Sequence, residues 1–155
     1  MSKAFTRETD ELAEGPLTLQ RPSPLPAGSK NYTTAQGHAR LQQELKQLLS
    51  EPITESTRQR TLEIEQSLKS AIVVAPPPRP WHQVLFGAIV TVRNHLGDEA
   101  VYHIVGKDEV DADRNFISWY SPLAKALLKT RVGGHIQFRS PNGEENLEII
   151  GVRYE

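Results

Sequence analysis

The chain has 155 residues, a net charge of −1 and 24% charged residues. That length suits one ordinary domain, or a small domain with an appendage. The near-zero net charge excludes a global basic field, so we expect no direct sequence-specific nucleic-acid binding. Because there is no cysteine, disulfides and thiolate metal sites are excluded. No apolar run approaches the ~20 residues that span a bilayer, and residues 1–10 lack a secretory pattern, which predicts no membrane partner and a cytoplasmic location.

The first part of the chain is rich in proline and poor in apolar residues. Four prolines stand among its polar and charged residues, namely Pro16, Pro22, Pro24 and Pro26. Closely spaced prolines block a helix and favour extended chain. Without an apolar period, such a segment cannot offset the entropy lost on ordering. The pattern predicts that residues 1–31 form a disordered or extended tail.

Residues 32–74 carry two helical patterns with a break between them. Thr33 begins a sequence with the spacing of a capping box, and leucines at intervals of three and four follow it. The break lies near Pro52, since proline can start a helix but disrupts its interior. A second pattern begins near Thr54 and ends near Ile72. The predicted seam between the two helices consists of Leu41, Leu45, Leu48, Ile64 and Leu68.

The two helical faces can pair around a single turn. The opposed positions are Leu48 with Thr57, Leu45 with Thr61, Leu41 with Ile64, and His38 with Leu68. Because one turn satisfies all four pairs, the pattern is stronger support for pairing than either helix alone. We therefore predict a short antiparallel helical hairpin, a coiled coil, over residues 32–74.

Proline marks the boundary between this hairpin and a second domain. Residues 75–80 include three consecutive prolines, which favour a semi-rigid linker. Residues 81–155 then alternate β-branched segments with turns. Strands are predicted at 88–92, 101–105, 116–119, 135–138 and 147–152. Ser121 can cap a short helix with Pro122 in its first position. Short connections predict antiparallel order, so the expected fold class is α+β, with one short helix on an antiparallel sheet.

Side chains that carry chemistry are scattered in this sequence. The five histidines fall singly in different predicted elements, without the spacing of metal ligands. The acidic stretch from Asp108 to Asp113 lacks the calcium-loop pattern, which favours a solvated loop over a cation site. No nucleophile elbow and no phosphate-binding loop occurs. The sequence therefore predicts no catalytic residue, no metal and no cofactor.

A series of motifs follows in order from Phe86 onward. They are Phe86-Gly87-Ala88, Tyr102 to Gly106 with Asp108-Glu109, Ile117-Ser118, Ser121 to Leu128, Val132-Gly133 and Ser140 to Glu144. In this order and at this spacing they resemble the C-terminal domain of the GreA/GreB transcript cleavage factors, the GreB branch in particular. The helical part matches more weakly, through Tyr32-Thr33-Thr34 and residues 41–45.

This resemblance implies a two-part protein that acts on bacterial RNA polymerase. In the family, a long antiparallel coiled coil enters the secondary channel of the polymerase, and an FKBP-like C-terminal domain docks at the rim. Acidic residues of a G-D-x-x-E-N-type motif at the coil tip help to hold the catalytic magnesium. Oxygen ligands suit that ion, and backtracked RNA is then cleaved.

The sequence departs from the family at the coil tip. Only residues 50–55 separate the two helices, and no G-D-x-x-E-N motif occurs there. The tip residues are Glu51, Pro52 and Glu55, and the pattern favours the two glutamates as solvated turn residues. In this respect the chain looks more like short-armed relatives such as Rnk than like a cleavage factor.

The resemblance also implies a polymerase-binding surface just before the short helix, at Trp119, Tyr120, Ser121 and Pro122. Trp and Tyr are enriched at interface hot spots, and a capped helix start holds side chains in a fixed direction. Because successive strand residues face opposite ways, we expect Trp119 in the core and Tyr120 exposed to the partner.

These features predict a monomeric regulator of transcription elongation that is not an enzyme. It would bind bacterial RNA polymerase near the secondary channel without cleaving RNA. Four alternatives remain open: a cleavage factor that uses Glu51 and Glu55, an Rnk-like competitor of Gre factors, a peptidyl-prolyl isomerase by fold analogy, and an adaptor for an unrelated protein.

Overall fold

The computed structural model describes residues 24–140 and 143–155, except for the side chain of Ser140. Most of the predicted tail, residues 1–23, lies outside the described residues. The elements in chain order are β1 (Asn31–Thr33), α1 (Ala35–Leu49), α2 (Glu55–Ser70), β2 (Ala71–Val73), β3 (Ile89–Arg93), β4 (Glu99–Val105), β5 (Phe116–Ser118), α3 (Pro122–Leu127), β6 (His135–Ser140) and β7 (Gly143–Arg153). The predicted α+β composition is confirmed.

Helices α1 and α2 contact each other on either side of a short connection. Leu41 and Ile64 are buried between them, with 6% and 0% of their surface exposed. The other predicted seam residues are half-buried, namely Leu45, Leu48 and Leu68. Burial therefore decreases from the base of the helix pair toward the connection, where side chains are exposed.

Polar side chains set where each of the two helices begins. The cap of α1 is Thr34, whose hydroxyl accepts a hydrogen bond from the backbone N–H of Gly37 at 3.0 Å. The prediction of a cap at Thr33 is wrong by one residue, because Thr33 belongs to β1 and is buried. Helix α2 begins after Thr54, whose side chain and that of Thr57 each accept from the other's backbone N–H.

A two-stranded parallel sheet joins the ends of the helix pair, and the sequence analysis missed it. Asn31 of β1 pairs with Ala71 of β2, and Thr33 pairs with Val73. Asn31 was assigned to the tail and Ile72 to the second helix, so both boundaries are corrected. Three-residue strands are too short to show a period, and their pairing depends on helices that bring their ends together.

The larger sheet has five strands in the order β5-β4-β3-β7-β6. Three of its four pairings are antiparallel, as predicted, but β4 and β5 are parallel. The connection from Val105 to Phe116 contains two 3-10 turns, at Lys107–Glu109 and Ala112–Arg114. These turns bring Phe116 back beside His103, so that β5 runs in the same direction as β4, and the expectation of a wholly antiparallel sheet is wrong.

One hydrophobic core lies between the large sheet and α3. Its buried residues are Val84, Ala88, Val90, Val92, Ile104, Ala124, Leu127, Leu147, Ile149 and Tyr154. The predicted start of α3 is confirmed, with Ser121 as cap and Pro122 at the first turn. Within the described ranges, no helix combines the length and apolarity needed to cross a membrane.

Tyr154 fastens the last described strand to the beginning of the sheet domain. Its hydroxyl donates to the carbonyl of Gln83 at 2.7 Å and accepts from the N–H of Leu85 at 3.0 Å. Its ring contacts Trp81 edge-on, with ring centres 5.4 Å apart. Burial raises the pKa of Tyr154, so the hydroxyl stays protonated and keeps both roles over the neutral range.

We expect Tyr154→Phe to lower the free energy of unfolding by about 1–2 kcal/mol, because a buried N–H and a buried carbonyl lose their partner. Chemical denaturation measures the change. Tyr102→Phe is the matched control, since within the described residues its hydroxyl makes no hydrogen bond, and it should shift stability by less than ~0.5 kcal/mol. Equal losses in the two variants would contradict the role of the Tyr154 hydroxyl.

Candidate functional site

The turn before α3 holds the four residues singled out by sequence. The hydroxyl of Ser121 accepts from the N–H of Ala124 at 3.3 Å and so fixes the start of the helix. Pro122 is exposed, and Lys125 lies exposed one turn farther along. Helix α3 therefore presents a rigid, accessible first turn.

Tyr120 is not the exposed residue that alternation predicted. It is only 7% exposed, whereas Trp119 is half-buried. Strand β5 ends at Ser118, so both aromatics lie in a turn, where alternation does not apply. The two rings meet edge-on with centres 5.4 Å apart. Burial raises the pKa of Tyr120, which keeps its hydroxyl neutral beside Asp108.

Trp119 also reaches the beginning of the helix pair. Its ring contacts Tyr32 of β1 edge-on at 5.4 Å between centres, and the ring centre of Tyr32 also lies 6.0 Å from that of Phe86. Within the part of the chain that the structure describes, the buried Nε1 of Trp119 has no hydrogen-bond partner. We call Tyr32, Phe86, Trp119 and Tyr120 the aromatic junction, because they connect β1 to the sheet domain.

Glu109 is a buried carboxylate at the same junction, not part of the solvated loop that the sequence predicted. It is 6% exposed. Its Oε2 accepts from the N–H groups of Thr34 and Gly106, both at 3.0 Å, and from the hydroxyl of Thr33 at 3.2 Å. Its Oε1 accepts from the hydroxyl of Thr34. We call this group of four residues the carboxylate latch.

Two glycines make the latch sterically possible. A Cβ on Gly37 would overlap the side chain of Glu109, and a Cβ on Gly106 would overlap the backbone carbonyl of Tyr32. Neither glycine has a positive φ, so what they supply is close approach and not unusual backbone conformation. Strand β1 and the residue after β4 consequently meet backbone to backbone, and the first turn of α1 meets the side chain of Glu109.

Further polar contacts support the same junction. Lys107 donates to the hydroxyl of Ser67 on α2 at 2.8 Å and pairs with Asp108 at 3.1 Å. The amide of Asn31 donates to the carbonyl of Ser67 at 3.2 Å. Half-burial lowers the pKa of His103, although the carboxylates of Glu155 and Glu109 oppose that shift.

The connection between α1 and α2 is exposed and carries both acids and apolar side chains. Glu51, Pro52 and Glu55 are all exposed, and Ile53 and Leu49 have 85% and 66% of their surface accessible. Below this tip, Glu44 and Arg60 form an ion pair at 2.7 Å, and the hydrogen bond from Arg60 lowers the pKa of Glu44.

The tip and the junction do not converge on a metal site within residues 24–140 and 143–155. No group of three or more His, Asp or Glu side chains there could hold a metal ion. The structure therefore brings together Trp119, Tyr120 and Ser121, while the tip residues lie at the other end of the helix pair. Sequence reasoning missed Tyr32 and Glu109, whose burial depends on contacts distant in sequence.

Comparison with known proteins gives matches to both parts of the chain. Residues 79–154 match the family model described as "Transcription elongation factor, GreA/GreB, C-term". Transcription elongation factor GreB of Neisseria meningitidis serogroup B is 34% identical, with 81% of this chain and 95% of that protein covered. Transcription elongation factor GreA of Francisella philomiragia is 41% identical over 62% of this chain and 61% of that protein.

Two solved structures that resemble this chain have lower sequence identity to it than these relatives. A GreA/GreB elongation factor from Nitrosomonas europaea is 25% identical and has a TM-score of 0.46, with 81% of this chain and all of that chain covered. The GreA factor homolog Gfh1 of Thermus thermophilus is 21% identical, covers 81% of this chain and 99% of its own, and has a TM-score of 0.43.

The expectation that this chain is not an enzyme is wrong as it was stated. The relatives are named as transcription elongation factors GreB and GreA, the family whose resemblance implies transcript cleavage. That expectation follows from the missing tip motif and the short helices, whereas the 34% identity to GreB extends over 95% of that protein. The absence of one motif does not exclude the catalytic role of the family.

The carboxylate latch should be a major source of stability. We expect Glu109→Ala to lower the free energy of unfolding by about 3 kcal/mol or more, because several buried donors lose their acceptor at once. Asp108→Ala is the control, since Asp108 is an exposed residue whose carboxylate pairs with Lys107, and its removal should cost less than ~1 kcal/mol. Urea denaturation measures both. A loss no larger for Glu109→Ala than for Asp108→Ala would refute the latch.

Gly37→Ala tests the close approach between α1 and Glu109, because it should change the stability in the direction opposite to that of an ordinary helix. In an ordinary helix interior, glycine to alanine stabilises by about 1 kcal/mol. Here the added methyl group meets the carboxylate of Glu109, so we expect net destabilisation instead. The combination of Gly37→Ala with Glu109→Ala should recover part of that loss. A stabilised single variant, measured by thermal unfolding, would show that the carboxylate has room to move.

Proposed function

This chain belongs to the GreA/GreB family of transcription elongation factors, and on that premise we propose that it binds bacterial RNA polymerase near the secondary channel. The observation that carries the proposal is the match to GreB, which covers 81% of this chain and 95% of the relative at 34% identity. The match therefore includes the helix pair as well as the sheet domain. Modulation of elongation follows as the role of the bound factor.

In this proposal the sheet domain is FKBP-like and docks through the first turn of α3. Pro122 and Lys125 are the accessible residues of that turn, while Tyr120 lies buried behind it. Ser121 caps the helix, and Trp119 and Tyr120 support it through their ring contact. A side chain held on such a rigid support loses little entropy on binding, which favours a compact hot spot.

The helix pair would act as a short antiparallel coiled coil that extends from the docked domain. Helix α1 has 15 residues, which corresponds to about 22 Å at 1.5 Å per residue. Its tip carries Glu51 and Glu55, together with the exposed Ile53. A short arm with a mixed acidic and apolar tip suits competition with longer factors at the channel entrance, as in an Rnk-like role.

Transcript cleavage is the second candidate function, and the naming of the relatives as GreB and GreA favours it. Magnesium is held by oxygen ligands, so the tip carboxylates of Glu51 and Glu55 are the side chains that could assist a metal in the polymerase. Both are exposed at the end of the helix pair, where nothing within the described residues covers them.

Docking is tested by pull-down with core RNA polymerase. We expect the double variant Pro122→Ala, Lys125→Ala to bind at least roughly thirtyfold more weakly than the wild type, which corresponds to a hot-spot loss of ~2 kcal/mol. Lys46→Ala, an exposed lysine of α1, is the control and should bind normally. If the folded double variant binds as well as the control, the docking surface is elsewhere.

Cleavage is tested on backtracked elongation complexes supplied with magnesium. We expect that any shortening of RNA stimulated by the wild type is lost in Glu51→Gln, Glu55→Gln, because amides are weaker magnesium ligands than carboxylates. Glu63→Gln, farther along α2, should leave stimulation unchanged. A wild type that leaves the RNA intact eliminates the second candidate, and a fully active double variant eliminates the proposed ligands.

A further inference from the structure

Positive charge is strongly segregated along this nearly neutral chain. Residues 66–97 and 114–143 contain no Asp or Glu. Their lysines and arginines are Lys69, Arg79, Arg93, Arg114, Lys125, Lys129, Arg131 and Arg139. The net charge of −1 therefore conceals a local excess of cations, which the overall composition cannot reveal.

The fold brings these two acid-free segments together beside α3. Gln83 and Arg131 form an antiparallel bridge, and the N–H of Val132 donates to the carbonyl of His82 at 2.9 Å. On the other side of the bridge, the N–H of Lys129 donates to the carbonyl of Val84 at 2.7 Å. Basic residues that are distant in sequence therefore lie on neighbouring segments of the chain.

Arg79, His82, Lys129 and Arg131 are all exposed, and we call these four residues the basic patch. The guanidinium of Arg79 lies over the ring of Trp81, with 4.4 Å to the ring centre. Within the described residues, no carboxylate forms an ion pair with any member of the patch. The basic patch therefore presents its charge to solvent.

Lys129 has a left-handed backbone conformation that is unusual for a residue with a side chain. Its φ is 75°, in the left-handed region where a side chain is disfavoured and glycine is the usual residue. A lysine here is a local departure from sequence preference. Such departures are expected where a side chain serves binding and not stability.

We propose that the basic patch binds the phosphodiester backbone of nucleic acid without sequence preference. The surroundings favour this ligand over a protein partner, because protein interfaces have an apolar centre whereas nucleic-acid interfaces are polar and positive. In the described segments that carry the patch, residues 79–83 and 129–132, Val132 is the one large hydrophobic side chain that is exposed, with 43% of its surface accessible. This inference does not rest on polymerase binding and excludes Lys125, which belongs to the proposed docking turn.

The test uses the full chain and naked nucleic acid, with no polymerase present. Fluorescence anisotropy is recorded with labelled duplex DNA in one arm and labelled single-stranded RNA in the other, at several salt concentrations. We expect weak binding, about 10⁻⁴ M, that falls with salt, and a logarithmic slope near −2.7 for duplex DNA if three phosphates are neutralised. Binding in either arm supports the proposal and identifies the nucleic acid.

Matched variants assign that binding to the patch. Lys129→Gln, Arg131→Gln should reduce the magnitude of the duplex slope by about 1.8, whereas Arg40→Gln, Lys46→Gln removes two exposed cations of α1 and should change nothing. The proposal is overturned if neither nucleic acid binds, if both double variants lose binding equally, or if labelled poly-L-glutamate binds while both nucleic acids do not.

Discussion

The structure depends on one buried carboxylate. Glu109 accepts from Thr33 and Thr34, which precede α1, and from Gly106, which follows β4, so its two oxygens connect the helix pair with the large sheet. A carboxylate at 6% exposure would be costly if it were unpartnered, and here four donors offset that cost. Because the donors come from both parts, neither part satisfies the charge alone. The latch therefore requires one relative placement of helices and sheet.

The aromatic junction gives this placement its apolar counterpart. Tyr32 contacts the rings of both Phe86 and Trp119, so ring contacts hold β1 next to the hydrogen bonds of the latch. Ring contacts of this kind add stability beyond the area they bury but tolerate small displacements. Hydrogen bonds to a carboxylate are short-ranged and directional. The ring contacts therefore add stability, and the hydrogen bonds of the carboxylate fix the position of the helix pair relative to the sheet.

The sequence predicts those structural elements that depend on neighbouring residues. It does not predict burial or strand pairing that depends on residues far apart in the chain. The cap at Ser121 with Pro122 follows from a hydroxyl and a fixed φ a few atoms apart, so sequence alone suffices. The burial of Glu109 depends on Thr33 and Thr34, which are more than seventy residues away in sequence. The parallel pairing of β4 with β5 likewise depends on two 3-10 turns that no hydrophobic period reveals. The tip acids Glu51 and Glu55 were predicted to be solvated turn residues, and both are exposed.

The same latch connects the two proposed functional surfaces. The first turn of α3 follows β5, which pairs with β4 directly beside the 3-10 turn that carries Glu109. The helix tip stands at the far end of α1, whose first residues the same carboxylate holds. If the chain docks through α3 as proposed, Glu109 sets the direction in which the tip extends. Side chains at the junction can therefore influence action on a partner that they never touch, because orientation is transmitted through one rigid contact.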